Sequence, residues 1–460
     1  MMRVRARIQR RRGLDKLHRD VLHAMNAALA AADPGRIIRN HLKLNGSTLH
    51  VERLQFPLKD YRRVFVIGGG KASGYMAEEV EKLLGNWITR GLVIIPDYLR
   101  ARPRGRRIKY HQATHPIPTR KGMEGVLAML RLVENISRDD LVIVVLSGGG
   151  SALMPLPVRG IGLNDEARVT SLLLKSGANI NEINNVRKHL SQVKGGRLAA
   201  RLYPATVLTL IISDVVGDKI DAIASGPTAP DPTTYHDAEN ILKKYDLWFQ
   251  IPENARSVVT SGLSGSLPET PKRKNKVFRR VHNVVVGNNR ASCLAAASAM
   301  TKAGYKTQIL SLQITGEASE AGLIFGSIVR DIRENSLPFA PPAAFVAGGE
   351  TTVTARGKGK GGRNQELVLA AAVKVSGSEE VVVGSFATDG IEGRTDAAGA
   401  VADGSTINRG LKLGMDPEEF LRTNDSYHYF SRLKDLVITG PTGTNVNDIM
   451  IVAAGRRRSA

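Results

Sequence analysis

The segment Val64-Phe65-Val66-Ile67-Gly68-Gly69-Gly70-Lys71-Ala72-Ser73 decides the fold. Its four consecutive apolar residues, Val64 to Ile67, predict a short strand that is buried on both faces, since no polar residue alternates with them. Three glycines follow, and the pattern then predicts a helix from about Gly74 to Leu84. A strand that passes through a glycine-rich turn into a helix is typical of a parallel, doubly wound sheet.

The same alternation continues along the rest of the chain. Short apolar strands are predicted at 92–95, 141–146 and 207–212 and, in the second half, at 283–286, 307–310, 343–346, 381–386 and 448–453. The stretch Ser261–Arg280 is rich in Ser, Gly, Pro and Lys and has no periodicity, which indicates a domain boundary. We therefore predict an α/β protein in three parts. A basic tail spans residues 1–14, a Rossmann-like N-terminal domain with a doubly wound parallel sheet spans 15–265, and a smaller C-terminal α/β domain spans 280–460.

Length and composition agree with two soluble globular domains. The chain has 460 residues, of which 42% are hydrophobic and 23% are charged. No apolar stretch approaches the roughly 18–20 residues that span a bilayer, so no membrane association is expected. Cys293 is the only cysteine, which excludes an intrachain disulfide and fits a cytoplasmic location.

The formal net charge of +22 raises the question of nucleic-acid binding. The basic runs contain almost no aromatic residues, and aromatics make up only 5% of the chain, so base-stacking surfaces are poorly supplied. A positive field also favours anionic substrates and cofactors. We therefore expect no specific nucleic-acid partner.

The first glycine turn carries a lysine at its tip. Glycines such as Gly69 and Gly70 let the backbone approach an anion, and Lys71 would place a positive charge against a phosphate. The dinucleotide spacing GxGxxG is not met, since Gly68, Gly70 and Gly74 give GxGxxxG. Asp97 could still act as the ribose-binding acid of a dehydrogenase, so that reading stays open at this point.

A second cluster follows the predicted strand Leu141–Leu146. Three consecutive glycines between two serines indicate a backbone cradle for phosphate, formed by Ser147, Gly148, Gly149, Gly150 and Ser151. No Walker A motif is present. ATP, if it is the nucleotide, would bind outside the P-loop scheme.

Carboxylates follow two other predicted strands. Asp214 comes after the strand that ends at Ile212, and Asp389 comes after the strand that ends at Phe386. The carboxyl ends of parallel strands are where the metal ligands and acid–base groups of α/β enzymes collect. His115 and His189 have no second His or Cys at metal spacing, so zinc is not expected.

A third glycine cluster ends at an arginine. Gly348-Gly349-Glu350 begins this segment, and Gly361-Gly362-Arg363 closes it where the next helix is predicted to begin. A guanidinium at such a junction can hold a carboxylate or phosphate through two parallel hydrogen bonds.

Taken together, these segments resemble the glycerate 2-kinases whose C-terminal half is called the MOFRL domain. The resemblance covers roughly residues 15–453 and rests on eight motifs in order: VIGGGKAS from Val66, THPIP from Thr114, LSGGGSALMPLP from Leu146, INNVRKHLSQVKGGRLA from Ile183, ISDVVGDKIDAIASGPT from Ile212, GGETTVTARGKGKGGRNQE from Gly348, ATDGIEGRTDAAGAVAD from Ala387 and TGPTGTNVNDIMI from Thr439.

The resemblance implies transfer of the γ-phosphoryl group of ATP to the 2-hydroxyl of D-glycerate, with Mg²⁺ or another divalent cation, in a cleft between two domains. It implies that Lys71, Arg363 and Asp389 form the catalytic centre. We further expect Arg187, Lys194 and Glu350 to bind substrate and Asp214 to bind the metal. The alternative activity is an NAD(P)-dependent reductase of hydroxypyruvate or tartronate semialdehyde. The sequence leaves the oligomeric state open and allows a homodimer.

Overall fold

A computed structural model describes residues 6–8, 15–99 and 103–456 of the chain. Most of the predicted basic tail 1–14 and the last four residues lie outside this description. The chain divides into two compact units. We call residues 37–286 the parallel unit, and residues 1–36 together with 287–460 the mixed unit, after their sheets.

Strands and helices alternate along most of the chain. The strands are β1 (Arg7–Ile8), β2 (Leu42–Asn45), β3 (Thr48–Val51), β4 (Leu54–Pro57), β5 (Arg63–Gly69), β6 (Arg90–Pro96), β7 (Ile108–Ala113), β8 (Asp140–Ser147), β9 (Thr206–Ile212), β10 (Val281–Gly287), β11 (Lys306–Ile314), β12 (Ala343–Gly349), β13 (Val381–Ala387), β14 (Gly399–Asp403), β15 (Leu436–Ile438) and β16 (Asp448–Ala454). The helices are α1 (Lys16–Ala31), α2 (Pro34–His41), α3 (Ser73–Leu84), α4 (Arg120–Leu132), α5 (Gly150–Leu153), α6 (Leu163–Lys175), α7 (Ile180–His189), α8 (Arg197–Leu202), α9 (Tyr235–Lys244), α10 (Glu253–Leu263), α11 (Asn289–Lys302), α12 (Ala318–Asn335), α13 (Arg363–Lys374), α14 (Thr406–Leu411), α15 (Pro417–Arg422) and α16 (Ser426–Leu433).

The parallel unit is built around a sheet in the order β10-β9-β8-β5-β6-β7. Strands β5 to β9 run parallel to their neighbours. Every residue of β8 and β9 is buried, as expected for strands covered on both faces. The doubly wound parallel sheet predicted for this part of the chain is confirmed. A separate antiparallel meander of β2, β3 and β4 was not predicted.

The predicted strand Asn283–Val286 does not belong to the second domain. It forms part of β10, which lies next to β9 in the parallel sheet. The Asn283 side chain explains part of this placement, since its Oδ1 accepts a hydrogen bond of 2.7 Å from Thr228 Oγ1. The chain therefore enters the mixed unit only at Gly287, rather than within the predicted linker Ser261–Arg280.

The mixed unit contains a second sheet, in the order β1-β15-β14-β13-β16-β12-β11. Only β11 and β12 form a parallel pair, while β16 runs antiparallel between β12 and β13. One face of this sheet carries a core of apolar residues from α12, α13 and the strands. The α/β class predicted for this part is confirmed.

Helix α1 packs in the mixed unit, although the predicted boundary at residue 15 puts it in the N-terminal domain. Asp15 caps the helix by accepting a hydrogen bond of 2.9 Å from the His18 N–H. The apolar face of α1, which includes Val21 and Met25, is buried in the cluster that covers the other face of the mixed sheet. Gly384 in β13 leaves room for it, because a Cβ there would lie 2.4 Å from Met25 Cε.

No helix in the described part of the chain is both long and apolar enough to cross a membrane.

Candidate active site

Three loops of the parallel unit meet at one edge of the sheet. They follow β5, β8 and β9, and β8 lies between the other two strands. Gly69 is in register with Leu146, and Ser147 is in register with Ile212. Because the strands are parallel, the turn at Gly70–Lys71, the glycine cluster 148–150 and the segment that contains Asp214 lie side by side.

Two glycines allow the first two loops to approach this closely. Gly70 has a φ of 150°, and a Cβ there would lie 2.3 Å from Ser147 Oγ. A Cβ at Gly68 would lie 2.1 Å from the carbonyl oxygen of Val145. The Lys71 N–H then donates to the Gly148 carbonyl at 2.8 Å, which fixes the lysine beside the second glycine cluster.

Ser147, for which phosphate binding was predicted, makes hydrogen bonds within the protein. Its side chain is fully buried, and its Oγ accepts a hydrogen bond of 2.9 Å from the Ala72 N–H. Ser73 Oγ lies 3.1 Å from the same oxygen. The hydroxyl therefore ties the end of β8 to the start of α3. This contact fixes the position of the turn that carries Lys71.

Lys71, Asp214 and His115 surround the second glycine cluster. A Cβ at Gly148 would lie 1.9 Å from Asp214 Oδ2. At Gly149, whose φ is 79°, a Cβ would lie 3.2 Å from Lys71 Cγ and 2.8 Å from His115 Nε2. Cation, carboxylate and imidazole thus converge on a bare stretch of backbone. His115 was not predicted as a site residue, although the motif THPIP marked its position.

Ser151, at the end of this cluster, connects to helix α7. Its Oγ lies 2.8 Å from Ser225 Oγ, which donates to Asn184 Oδ1 at 3.1 Å. Asn184 and Arg187 are three residues apart and therefore share one face of the helix. The face of α7 that carries Arg187 is thus linked to the glycine cluster.

The predicted substrate-binding residues Arg187 and Lys194 differ in their partners. Lys194 is fully buried and donates to Glu166 Oε1 at 2.7 Å, so its charge is already neutralised. Arg187 forms no salt bridge with any residue that the structure describes, and its buried Nε has no acceptor. Burial lowers the pKa of Arg187, which the nearby Glu166 opposes. A half-buried guanidinium without a carboxylate partner among the described residues is suited to an anionic group of a ligand.

In the mixed unit, Arg363 is the first residue of α13 and is held by Asp448. Its Nε donates to Asp448 Oδ2 at 2.5 Å and its NH2 donates to Asp448 Oδ1 at 3.0 Å. The third nitrogen, NH1, lies 3.0 Å from Glu350 Oε1. The predicted residues Arg363 and Glu350 are therefore in contact, through a guanidinium whose orientation is fixed on two sides.

The sheet explains why Asp448 occupies this position. Strand β16 begins at Asp448 and runs antiparallel to β12 and β13, so its first residue lies at the ends of both. Asp448 is in register with Gly349 on one side and with Ala387 on the other. Asp389 follows Ala387 by two residues, and its Oδ1 accepts a hydrogen bond of 3.2 Å from the Ile391 N–H.

Several acidic groups make this centre electrostatically unusual. Glu392 is buried, and its two carboxylate oxygens accept hydrogen bonds from the N–H groups of Asn364 and Gln365 at the start of α13. Burial, together with the charge of Asp448, raises the pKa of Glu392 to about 8. Burial opposes the charge on Arg363, but Asp448 outweighs it, and the pKa of Arg363 is raised.

The residues present fit a loosely held Mg²⁺ better than a dedicated metal cage. No group of three or more His, Cys, Asp or Glu side chains in the described parts of the chain could enclose a metal ion. Mg²⁺ is commonly held by one or two carboxylates together with substrate phosphates and water. Asp214, beside the glycine cluster, is a carboxylate of this kind.

Comparisons with known proteins agree with this geometry. A family described as a domain of unknown function (DUF4147) matches residues 20–260, and the MOFRL family matches residues 343–448. A glycerate 2-kinase of Pyrococcus horikoshii is 44% identical over 95% of this chain and 97% of its own length. The chain belongs to the MOFRL family of glycerate kinases. The structure also resembles the crystal structure of a glycerate kinase from Thermotoga maritima, with a TM-score of 0.82 and 38% sequence identity. The match covers 95% of the present chain and 99% of the Thermotoga chain.

Some relatives carry the name of a different enzyme. A relative from Agrobacterium vitis, 40% identical over 94% of this chain and 93% of its own length, is named a putative hydroxypyruvate reductase. Kinase and reductase names therefore occur among relatives of similar identity, so the site chemistry has to distinguish them.

Proposed function

We propose that the protein is an ATP-dependent kinase that phosphorylates D-glycerate at its 2-hydroxyl to give 2-phosphoglycerate. The convergence of Lys71, the Gly148–Gly149 backbone and Asp214 at one sheet edge supports this best. A nucleoside triphosphate carries several negative charges. A lysine beside exposed glycine backbone can bind these phosphates without a P-loop. Asp214 would hold Mg²⁺, which neutralises charge on the phosphates when it is bound.

In this reaction the 2-hydroxyl oxygen of glycerate attacks the γ-phosphorus. A new O–P bond forms while the bond between the γ-phosphorus and its bridging oxygen breaks, and ADP leaves. Lys71 would stabilise the negative charge on the transferring group, and Arg363 would orient the group it binds. Asp389 would accept the hydroxyl proton. Glu350 would act by holding Arg363 NH1. We assign the residues around Arg363 and the residues around Lys71 to the same reaction.

Arg187 is our candidate receptor for the glycerate carboxylate. Arg187 is half-buried, has no salt bridge with the described residues, and lies on the α7 face that connects through Ser225 to the glycine cluster. Lys194 would serve as a positioning residue rather than a ligand, because Glu166 already occupies its ammonium group.

The direct test incubates the protein with ATP, Mg²⁺ and D-glycerate and identifies the phosphorylated product. We expect 2-phosphoglycerate, which enolase converts without a mutase. Lys71→Ala should lower kcat by roughly 10²–10³-fold, since a charge that acts on the transferring group is lost. Lys82→Ala, which removes an exposed lysine from α3, the helix that follows the Lys71 turn, should leave kcat unchanged. Formation of only the 3-phosphate, or an unchanged rate for Lys71→Ala, would contradict the proposal.

The role of Arg187 is tested by separating the two substrates. Arg187→Gln should raise the KM for D-glycerate by roughly 10–100-fold, because a charge-assisted hydrogen bond of about 1.5–3 kcal/mol is lost, and should leave the KM for ATP nearly unchanged. Glycerol lacks the carboxylate, so any slow turnover of glycerol should not respond to the substitution. A raised KM for ATP would instead assign Arg187 to the nucleotide.

The reductase reading finds less support in the site. It requires the turn after β5 to accept a pyrophosphate, but Gly70 packs against Ser147 there and the GxGxxG spacing is absent. Asp97 lies exposed just after β6 and remains the only feature that favours a dinucleotide. Oxidation of NADH or NADPH by the protein in the presence of hydroxypyruvate would establish this activity. The cytoplasmic location and a homodimer stay predictions.

A further inference from the structure

A cavity in the parallel unit lies away from the glycine loops. Its volume is about 260 Å³, slightly below the roughly 300–1,000 Å³ of common ligand pockets. The lining consists of residues from β4, from the start of β9 and β10, and from the segments that precede β5 and β10: Leu54, Gln55, Phe56, Tyr61, Thr206, Arg279, Arg280 and His282. The size suits a ligand of a few heavy atoms rather than a nucleotide.

The cavity lies at the opposite edge of the sheet from the proposed phosphate site. Thr206 is the first residue of β9, whereas Asp214 follows the last residue, Ile212. Six steps along a strand at about 3.3 Å each separate Thr206 from Ile212 by roughly 20 Å. A molecule in this cavity therefore does not occupy the glycine loops of the same unit.

The charge of the lining is entirely positive. It contains Arg279 and Arg280 and no Asp or Glu. Neither arginine forms an ion pair with a residue in the described part of the chain. Burial, with the adjacent Arg280, lowers the pKa of His282, so the ring is neutral near pH 7 and the positive charge comes from the two guanidinium groups.

Arg280 is held in a fixed orientation by hydrogen bonds from one of its three guanidinium nitrogens. Its NH2 group donates to the Arg138 carbonyl and to Thr206 Oγ1, both at 2.8 Å. Its Nε is buried and has no acceptor. This nitrogen is closed off from the cavity, so a bound anion would contact the other N–H groups of the guanidinium. A guanidinium already fixed in place also loses little conformational freedom when it binds.

The remaining wall is aromatic. The rings of Phe56 and His282 pack edge to face with their centroids 5.6 Å apart. Tyr61 and Gln55 complete the lining with polar groups that can donate hydrogen bonds. A ligand with an anionic head and a short carbon chain matches this combination of guanidinium donors and apolar rings.

We propose that this cavity is a binding site for a small phosphate monoester, separate from the proposed catalytic loops. The phosphate would accept hydrogen bonds from the guanidinium groups of Arg280 and Arg279, and the short organic part would contact Phe56. Arginine pairs recognise phosphate oxygens in this two-point manner.

Isothermal titration of the full-length protein with glycerol 1-phosphate tests the proposal, and it needs no turnover. The Lys71→Ala variant serves as the background, so that binding at the glycine loops is weakened. We expect one molecule bound per chain and at least a tenfold loss of affinity in both Arg280→Gln and Arg279→Gln. Arg279→Gln matters because the Arg279 side chain is exposed, so its replacement leaves the Thr206 contact of Arg280 intact.

The matched control is Arg273→Gln, which removes the same charge from an exposed position in the same basic segment but outside the lining. Its affinity should change by less than twofold. Equal losses in all three variants would mean that general electrostatic attraction alone holds the phosphate, and unchanged binding in Arg279→Gln and Arg280→Gln would exclude the site. Since kinase activity is measured separately, either result leaves the proposed catalytic function untouched.

Discussion

The parallel unit and the mixed unit hold their candidate site residues in different ways. In the parallel unit the site is made largely of backbone: glycines at 70, 148 and 149 leave space, and Lys71 is fixed through its own N–H. In the mixed unit the site is made of side chains, since Arg363 is held by Asp448 and Glu350. One centre depends on the absence of side chains, and the other depends on a network of charges.

This difference leads to opposite expectations for substitution. A backbone-built site should be damaged by the addition of a single methyl group. A charge network should tolerate changes of volume and be damaged by the loss of one charge, because the partner is then left buried without compensation. Variants that separate these two kinds of damage from general loss of stability can test the comparison directly.

Of the variants that test this contrast, Asp448→Asn is expected to have the largest effect on kcat. The side chain keeps its size, but Arg363 loses the carboxylate that orients it, and kcat should fall by about 100-fold. The matched control is Asp435→Asn, because Asp435 is also fully buried and pairs with an arginine, Arg409. The side chain of Arg409 is 29% exposed and that of Arg363 is 30% exposed. Both variants should lose about 1–3 kcal/mol in the free energy of unfolding, and only Asp448→Asn should lose kcat.

Steady-state kinetics and denaturant unfolding on the same samples measure both quantities. If Asp435→Asn slowed catalysis as much as Asp448→Asn, the Asp448 effect would reflect stability alone. The contrast between the two units would then have no basis.

A smaller effect is expected for Gly149→Ala in the parallel unit. The new Cβ would lie close to Lys71 and His115, and kcat should fall by about tenfold. Gly177→Ala is the control, because its φ of 80° matches the 79° of Gly149 while its surroundings are open. Each substitution carries a backbone cost of about 1–2 kcal/mol. Equal catalytic loss in both variants would show that backbone strain, rather than contact with Lys71, is responsible.

The difference between the two units also explains which parts of the site could be predicted from the sequence. The parallel unit repeats one local pattern, a buried strand that leads into glycines, and the pattern predicts both the strand and the loop at its end. Lys71, Gly148 and Asp214 could therefore be placed at one edge before the structure was known. The role of Ser147 could not, because it depends on contact between two loops about 75 residues apart in the chain.

The mixed unit was less predictable because its last strand, β16, lies between β12 and β13 rather than beside β15. Arg363 and Asp389 stand out as polar residues that follow glycines or apolar strands. Asp448 was missed because it begins a strand, and its position beside Arg363 follows only from the antiparallel pairing of β16 with β12 and β13. Helix α1 was misplaced for a similar reason, since its apolar face carries no information about which unit covers it.

The last expected effect is on stability rather than on kcat, and it concerns the charge network and pH. The pKa of Glu392 is raised to about 8 by burial and by Asp448, from an ordinary value of 4.5. The folded protein therefore holds a proton there that the unfolded chain releases, and this stabilising contribution is lost as pH rises from about 5 towards 8. One such group changes the free energy of unfolding by at most about 1.4 kcal/mol per pH unit.

Denaturant unfolding of the wild-type protein and of Glu392→Gln between pH 5 and pH 8 measures this contribution. The amide cannot ionise, so the variant should lose less stability than the wild type as pH rises. Glu269 does not interfere, because its pKa is lowered to about 2 and it stays ionised throughout this range. Parallel curves for the two proteins would mean that Glu392 is already ionised at pH 5. The mixed-unit centre would then carry one more negative charge around Arg363 than we infer, and the contrast with the backbone-built centre would become sharper.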